Sequence, residues 1–222
     1  MKTILLFSGG LDSTSLLFKI LAENKGIGSE VKCLGINYGQ RHKKELLKAS
    51  QIAMYAGVEY RVMDLTCITP LLTGSSQTDT SVPVPEGRYD EPSMKKTIVP
   101  NRNMIMLSIA TAWAISSRFH RVAYAAHAGD HAIYPDCRPE FTDALQGAIS
   151  KCDWETPTLH APFIHMNKGQ CAAIGYMHEA PLHMTWSCYK GLDKHCGRCG
   201  ACVERREAFQ QVGIVDPTEY SA

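Results

Sequence analysis

Seven residues constrain this chain more than any other stretch: Ser8-Gly9-Gly10-Leu11-Asp12-Ser13-Thr14 stands directly between an apolar run and a helical pattern. Thr3 to Phe7 is short and apolar and reads as a buried strand. Leu16, Leu17, Ile20 and Leu21 follow at helical spacing, with Asp12 or Ser13 as the capping residue and Gly26 and Gly28 past the end. A glycine pair at such a turn lets the backbone approach an anion closely and line it with amides. The helix start adds unpaired N–H groups and the positive end of a dipole. Ser13 and Thr14 supply hydroxyl donors, and Asp12 suits a divalent cation that bridges to phosphate oxygens. The Gly-Lys-Ser/Thr ending of the ordinary P-loop is missing, as is the dinucleotide fingerprint. The heptad is therefore read as a phosphate-binding loop of another kind; the plainer alternative is a capped turn.

The alternation continues downstream. Val31 to Asn37 reads as a second strand, Lys43 to Tyr55 as a helix, and Val58 to Leu65 as a third strand. Strand, helix, strand, helix, strand predicts an α/β fold built on a doubly wound parallel sheet. Thr73 to Lys96 has no apolar period and reads as a long loop, functional or disordered. Beyond it the pattern predicts a helix over Met104–Ser117, a strand over Arg121–Ala126, an irregular stretch over Gly129–Glu140 and a helix over Phe141–Cys152. Thr158 to Ile164 reads as an edge strand or extended run, and Lys168 to Glu179 as a helix. Cysteines dominate from Pro181 onward, which divides the chain into an α/β domain, 1–180, and a small C-terminal extension, 181–222.

Four of nine cysteines crowd into that extension as Cys188, Cys196, Cys199 and Cys202, spaced C-x7-C-x2-C-x2-C. Four thiolates around Gly197 and Gly200 can close a tetrahedron, the usual form of structural zinc. An iron–sulfur cluster uses the same ligand count. His195, Arg198, Arg205 and Arg206 stand near enough in sequence to offset the thiolate charge. Four protein ligands leave no open position, so the expected role is structural. The Ile4–Phe7 run is too short for a signal sequence, and no stretch reaches the length of a membrane span. The reading is a cytoplasmic chain with reduced thiols. Lys plus Arg numbers 23 against 22 Asp plus Glu, a net charge of +1, which argues against nucleic-acid binding by bulk electrostatics.

Two further segments carry polar chemistry. Tyr38-Gly39-Gln40-Arg41-His42, with Glu45, follows the second strand, where nucleotide-binding sheets place binding residues. Tyr134-Pro135-Asp136-Cys137-Arg138-Pro139-Glu140-Phe141 joins carboxylates, a guanidinium and aromatics. A carboxylate there can accept the amine and ring N–H of a guanine-like base, and Arg138 can take a carboxylate or carbonyl. The alternative is a helix-capping turn with a surface ion pair.

The heptad resembles the pyrophosphate-binding loop of the N-type ATP pyrophosphatases, the PP-loop superfamily. Together with Val99–Asn103, Thr185-Trp186-Ser187-Cys188-Tyr189, the two segments above and the cysteines followed by Arg205 and Phe209, the chain resembles the QueC family nearly end to end. That resemblance implies an adenine nucleotide alpha hydrolase-like fold and a carbon–nitrogen ligase of queuosine biosynthesis. Such an enzyme converts 7-carboxy-7-deazaguanine and ammonia to 7-cyano-7-deazaguanine with ATP and Mg²⁺, through adenylate and amide intermediates. It further implies structural zinc on the four cysteines, a homodimer, and no direct contact with nucleic acid or membrane. Carried onto this sequence, Ser8 to Thr14 with Tyr38, Gln40, Arg41 and His42 bind ATP; Asp12, Ser13 and Lys168 are catalytic; Arg102, Asn103, Asp130, Asp136 and Arg138 hold the base. Lys168 reads equally as an ordinary solvated lysine.

One stretch departs from the family pattern: Ala126 to Ile133 keeps Asp130 but sets it among His127, His131 and a bulkier Ile133. The two histidines are read equally as packed bystanders and as catalytic groups. Three other functions stay open on the residues: a variant that stops at the amide, a relative that inserts sulfur into tRNA using Cys137 or Cys152, and a zinc-stabilised binding module without catalysis.

Overall fold

The computed structural model describes residues 1–88 and 92–221. Five strands form one parallel sheet: β1 (Thr3–Leu6), β2 (Val31–Asn37), β3 (Glu59–Asp64), β4 (Arg121–Ala123) and β5 (Thr158–His160), in the order β3-β2-β1-β4-β5. The helices are α1 (Leu11–Glu23), α2 (Lys44–Tyr55), α3 (Arg102–Ser117), α4 (Pro139–Ile149), α5 (Lys168–Met177) and α6 (Gly200–Gln211). This is the doubly wound α/β arrangement the alternation predicts.

Successive side chains of a strand point to opposite faces, so Ile4 and Leu5 enter different cores. Ile4 joins Leu34, Ile36 and Val122 beneath α3 and α4, which contribute Leu107, Ala110, Leu145 and Ile149. Leu5 joins Val31 and Cys33 beneath α1, α2 and α5, through Leu17, Ile20, Ala49, Ile52 and Cys171. β3 forms one edge and is largely exposed.

Several boundaries differ from the sequence reading. Asp12 and Ser13 do not cap α1: the cap is Gly10, extended at φ −77 and ψ 171, and both residues lie in the first turn. β4 stops at Ala123 instead of Ala126: Ala123 is its last residue in register with β5, which ends at His160. α4 begins at Pro139, ahead of Phe141; proline costs nothing at a first helical position, whose N–H has no acceptor. α6 has no counterpart in the sequence reading, where the cysteines hid it.

Of the 73–96 stretch, residues 89–91 lie outside the described part, and residues 76–82 are held by a side chain from elsewhere, not by a period of their own. Arg41 donates from Nε to the Ser76 carbonyl (2.9 Å) and from its terminal nitrogen to the carbonyls of Asp79 (3.0 Å) and Val82 (2.7 Å). Further along, Glu86 pairs with Cys199 in an antiparallel bridge. Within 181–222, Leu182 and Phe209 pack with Leu11 of α1 and Ala172 of α5, so the extension shares apolar contacts with the sheet's first helix.

Candidate functional site

β1 pairs with β2 on one side and β4 on the other, and the chains leaving β1 and β4 turn to opposite faces. A crevice opens at such a switch point, at the carboxyl ends of the strands. Its lining includes Ser8, Gly10, Leu11, Asp12 and Ser13 from the loop after β1, Tyr38 and Gln40 after β2, Arg102 and Asn103 at the start of α3, Asp130, and Lys168 at the start of α5.

The loop is shaped by one backbone requirement. Gly9 sits at φ +74, and a Cβ there would lie 2.6 Å from the Ala49 nitrogen. Only glycine meets both conditions, which lets the loop lie close against α2. Ser8 Oγ accepts from the Gly10 amide (3.3 Å) and lies 3.2 Å from Ser13 Oγ, so the two hydroxyls brace the loop from within. Thr14 is fully buried with its hydroxyl unpartnered, and like Gly9 it does not line the cleft.

Charge concentrates at the mouth of this loop. Lys168 Nζ lies 3.0 Å from Asp12 Oδ2 and 2.9 Å from Glu204 Oε2. His127 Nε2 lies 3.6 Å from Asp12 Oδ2 and 3.5 Å from Asp130 Oδ2. Burial alone would raise the Asp12 carboxyl, but the Lys168 ammonium and the His127 ring together hold it well below the usual carboxylate range. Burial likewise opposes a charged His127, yet Asp130 and Asp12 push it up to about 9, so it is an imidazolium at neutral pH. Lys168, burial notwithstanding, is raised by Asp12 and Glu204 and stays an ammonium. Asp12 Oδ1 is buried with no partner among the described residues, a free acceptor suited to a divalent cation held against phosphate oxygens.

At the other end of the cleft, Arg102 stacks its guanidinium 5.9 Å from the Tyr134 ring centroid. Tyr38, Glu45 and Cys137 line the same end. Burial pushes the Glu45 carboxyl up to about 7, against the pull of Arg102. The Cys137 thiol is pushed far higher by burial, and Cys152 is exposed outside the cleft lining. Asp136 lies outside that lining: its Oδ2 accepts from the Asn103 amide (3.1 Å) and its carbonyl from Asn103 Nδ2 (3.2 Å), tying α3 to the turn before α4. Arg138 is exposed and donates to the His131 carbonyl at 2.8 Å. Arg41 serves the 73–82 segment as described, and His42 packs near Trp186 at 6.3 Å between ring centroids. Glu204 is the charged residue here that sequence reasoning missed; its only signal is an acid two residues after the last cysteine.

The four cysteine Sγ atoms all lie within 4.8 Å of one another and are buried. Sulfurs at about 2.3 Å from a tetrahedral zinc stand roughly 3.8 Å apart, and Cys196 Sγ and Cys202 Sγ are 3.9 Å apart. The amide of Cys199 points at Cys196 Sγ (3.3 Å) and that of Cys196 at Cys188 Sγ (3.4 Å), donors that stabilise thiolate charge. The residues therefore fit a metal ion. Arg205 is wholly buried beside it, yet its guanidinium is spent on the hydroxyls of Thr218, Thr185 and Ser187 and on the Leu182 carbonyl. The centre also touches the phosphate loop: the Trp186 amide donates to the Gly9 carbonyl (3.1 Å), and the Trp186 ring donates to the Cys188 carbonyl (2.8 Å).

Comparison with known proteins agrees with this architecture. The profile of the family described as "Queuosine biosynthesis protein QueC" matches residues 2–213. Proteins named 7-cyano-7-deazaguanine synthase are 50% identical over 99% of this chain, that of Rhizobium rhizogenes being covered over 92% of its length and that of Brucella ovis over 94%. Among solved structures, the U34-tRNA thiolase NcsA from Methanococcus maripaludis, with its 4Fe-4S cluster, superposes with a TM-score of 0.54 at 13% identity, over 97% of this chain and 72% of that one. That likeness concerns the fold.

Proposed function

The chain belongs to the QueC family of queuosine biosynthesis proteins, and from that premise we propose that it makes 7-cyano-7-deazaguanine from 7-carboxy-7-deazaguanine, ammonia and ATP. The observation that carries this reading is the sharing of one cleft by the Ser8–Ser13 loop, the Lys168 ammonium and the Arg102–Tyr134 end.

In the first half-reaction the substrate carboxylate oxygen attacks the α-phosphorus of ATP, and the bond to the bridging oxygen of pyrophosphate breaks. Amides at the start of α1, the Ser13 hydroxyl and Lys168 receive the leaving pyrophosphate, so charge develops against donors already in place. Mg²⁺ arriving with ATP would be held by Asp12 and would neutralise phosphate charge. Ammonia then adds to the acyl carbon, a proton is lost, and AMP leaves to give the amide. A second ATP adenylates the amide oxygen; loss of AMP and of the nitrogen-bound protons leaves the nitrile. The protein's share is alignment of the carboxylate with the α-phosphorus and exclusion of water from the acyl adenylate.

In this proposal Arg102, Asn103 and Asp130 of the cleft lining read the base, with Asp136 holding Asn103 and Arg138 holding the adjoining turn from outside it; Tyr38 and Gln40 form the nucleotide-side group, with Arg41 and His42 supporting it from behind. The four-cysteine centre takes zinc in a structural role. Among the described residues no helix is long and apolar enough to cross a membrane. A cytoplasmic homodimer acting on small molecules completes the reading, and sedimentation of the purified chain tests its oligomeric part. The high Cys137 thiol pKa disfavours the sulfur-transfer alternative, which needs a ready thiolate.

Incubation of purified protein with the carboxylated base, ammonia and ATP, followed by product mass, is the test. A nitrile mass with two AMP released per product supports the proposal. An amide mass restricts it to the first half-reaction, and no ATP consumption overturns it.

A further inference from the structure

Glu204, two residues after Cys202 in the cysteine module, reaches a lysine that lines the cleft from another part of the chain. Three local features bring the pair together. Asn167 caps α5 with a reciprocal capping box, its side chain accepting from the Gln170 amide (2.9 Å) while Gln170 Oε1 accepts from the Asn167 amide (2.9 Å). This fixes Lys168 as the first residue of the helix. Next comes Gly169, where a Cβ would stand 2.6 Å from Gln211 Oε1 and 3.2 Å from the Ala208 carbonyl, both on α6. Its missing side chain lets α6 lie against the start of α5. Gly129 closes the third side: a Cβ there would stand 3.1 Å from Glu204 Oε1. Backbone choices on two elements thus leave room for one carboxylate beside one ammonium.

A lysine side chain has four rotatable bonds and loses about 2 kcal/mol of rotamer freedom when fixed. Asp12 alone would hold Lys168 Nζ against the loop, but in the proposed reaction Asp12 has a second duty toward the metal of ATP. A second carboxylate keeps the ammonium in position while Asp12 turns to that ligand.

We infer that Glu204 is a positioning residue that holds the Lys168 ammonium over the phosphate loop, and through which the cysteine module acts on pyrophosphate binding. The inference rests on the reading of Ser8–Thr14 and Lys168 as the pyrophosphate site.

Calorimetric titration with inorganic pyrophosphate and Mg²⁺ tests it on the whole chain, wild type against Glu204→Gln, Glu204→Asp, Lys168→Ala and the Glu204→Gln/Lys168→Ala pair. Charged hydrogen bonds are worth about 1.5–3 kcal/mol, so Glu204→Gln should weaken binding roughly 10- to 100-fold. Zinc content should stay at the wild-type value. Glu204→Asp should recover part of the loss, and the paired variant should bind no worse than Lys168→Ala alone, because residues acting as a unit are not additive. Wild-type affinity in Glu204→Gln, or a paired loss equal to the product of the single losses, overturns the inference while leaving the pyrophosphate site intact. Absence of pyrophosphate binding in the wild type overturns the site reading, and the inference with it.

Discussion

The amide of Trp186 donates to the carbonyl of Gly9 over 3.1 Å, which fastens the back of the phosphate loop to the residue two places before the first cysteine of the metal centre. The loop is thereby held from two sides, by the contact of Gly9 with α2 and by this bond. A metal held by the four cysteines would act on ligand affinity through this bond, without touching the ligand.

Cys199→Ser should accordingly lower zinc content, stability and ATP affinity together. Structural zinc contributes about 10–16 kcal/mol of apparent binding free energy in small peptides, and removal of one ligand of four forfeits a large share. Metal analysis, thermal unfolding and ATP titration on one preparation check it; unchanged stoichiometry of one zinc per chain and unchanged melting would refute the centre.

Gly9→Ala should destabilise the fold by about 1–3 kcal/mol from the positive φ alone, with the 2.6 Å approach to the Ala49 nitrogen adding to it. The strain can be relieved only by moving the loop away from α2, so ATP binding should fall as well. Gly213→Ala is the control: it shares a positive φ of 67 but has nothing within 4 Å of the added carbon, so it should leave ATP affinity alone.

Asp12→Asn, and separately Ser13→Ala, should each slow turnover, with about a 10²-fold loss for Asp12, the scale seen when a charge-stabilising group is removed. In Asp12→Asn, Lys168 and His127 lose the anion between them, and their nitrogens are 3.5 Å apart. His127 should then titrate below its wild-type value, which a histidine NMR titration reads directly. Near-normal turnover in both variants would remove the loop from catalysis.

The buried pair also sets a pH dependence. His127 rises from an unfolded value near 6.5 to about 9, so its contribution to stability is complete below 6.5 and is lost as the pH climbs through 9. At about 1.36 kcal/mol per unit the loss amounts to roughly 3 kcal/mol. Asp12 has the opposite sign: its contribution holds above the ordinary carboxylate range and is lost on acidification. Melting temperature against pH should decline from neutral to alkaline conditions in the wild type and flatten in that range in His127→Gln. An equal alkaline decline in both would exclude His127 as its source.

The parallel sheet was legible because buried parallel strands are continuous apolar runs, as in Thr3–Leu6 and Val31–Asn37, and because glycines and polar residues punctuate them. The loop was legible because its glycines and hydroxyls are local. α6 was not: its apolar positions are few, a buried Arg205 occupies one of them, and the cysteines that start it are dictated by metal geometry. Glu204 escaped for a related reason, since a carboxylate partner for Lys168 is chosen by the packing of α6 on α5, which no spacing in either segment encodes. His127 is the converse case. Sequence left it balanced between bystander and functional group, and its two carboxylate neighbours favour a charged ring at neutral pH.

The bond from Trp186 to Gly9 joins segments far apart in sequence, so the order of synthesis matters. The phosphate loop is synthesised ahead of its backing, and Lys168 ahead of its partner Glu204. A nascent chain can assemble β1 to β4 while its nucleotide pocket is still unbuttressed. On the proposed function, competence to handle ATP would therefore come only once the cysteine module closes on the loop.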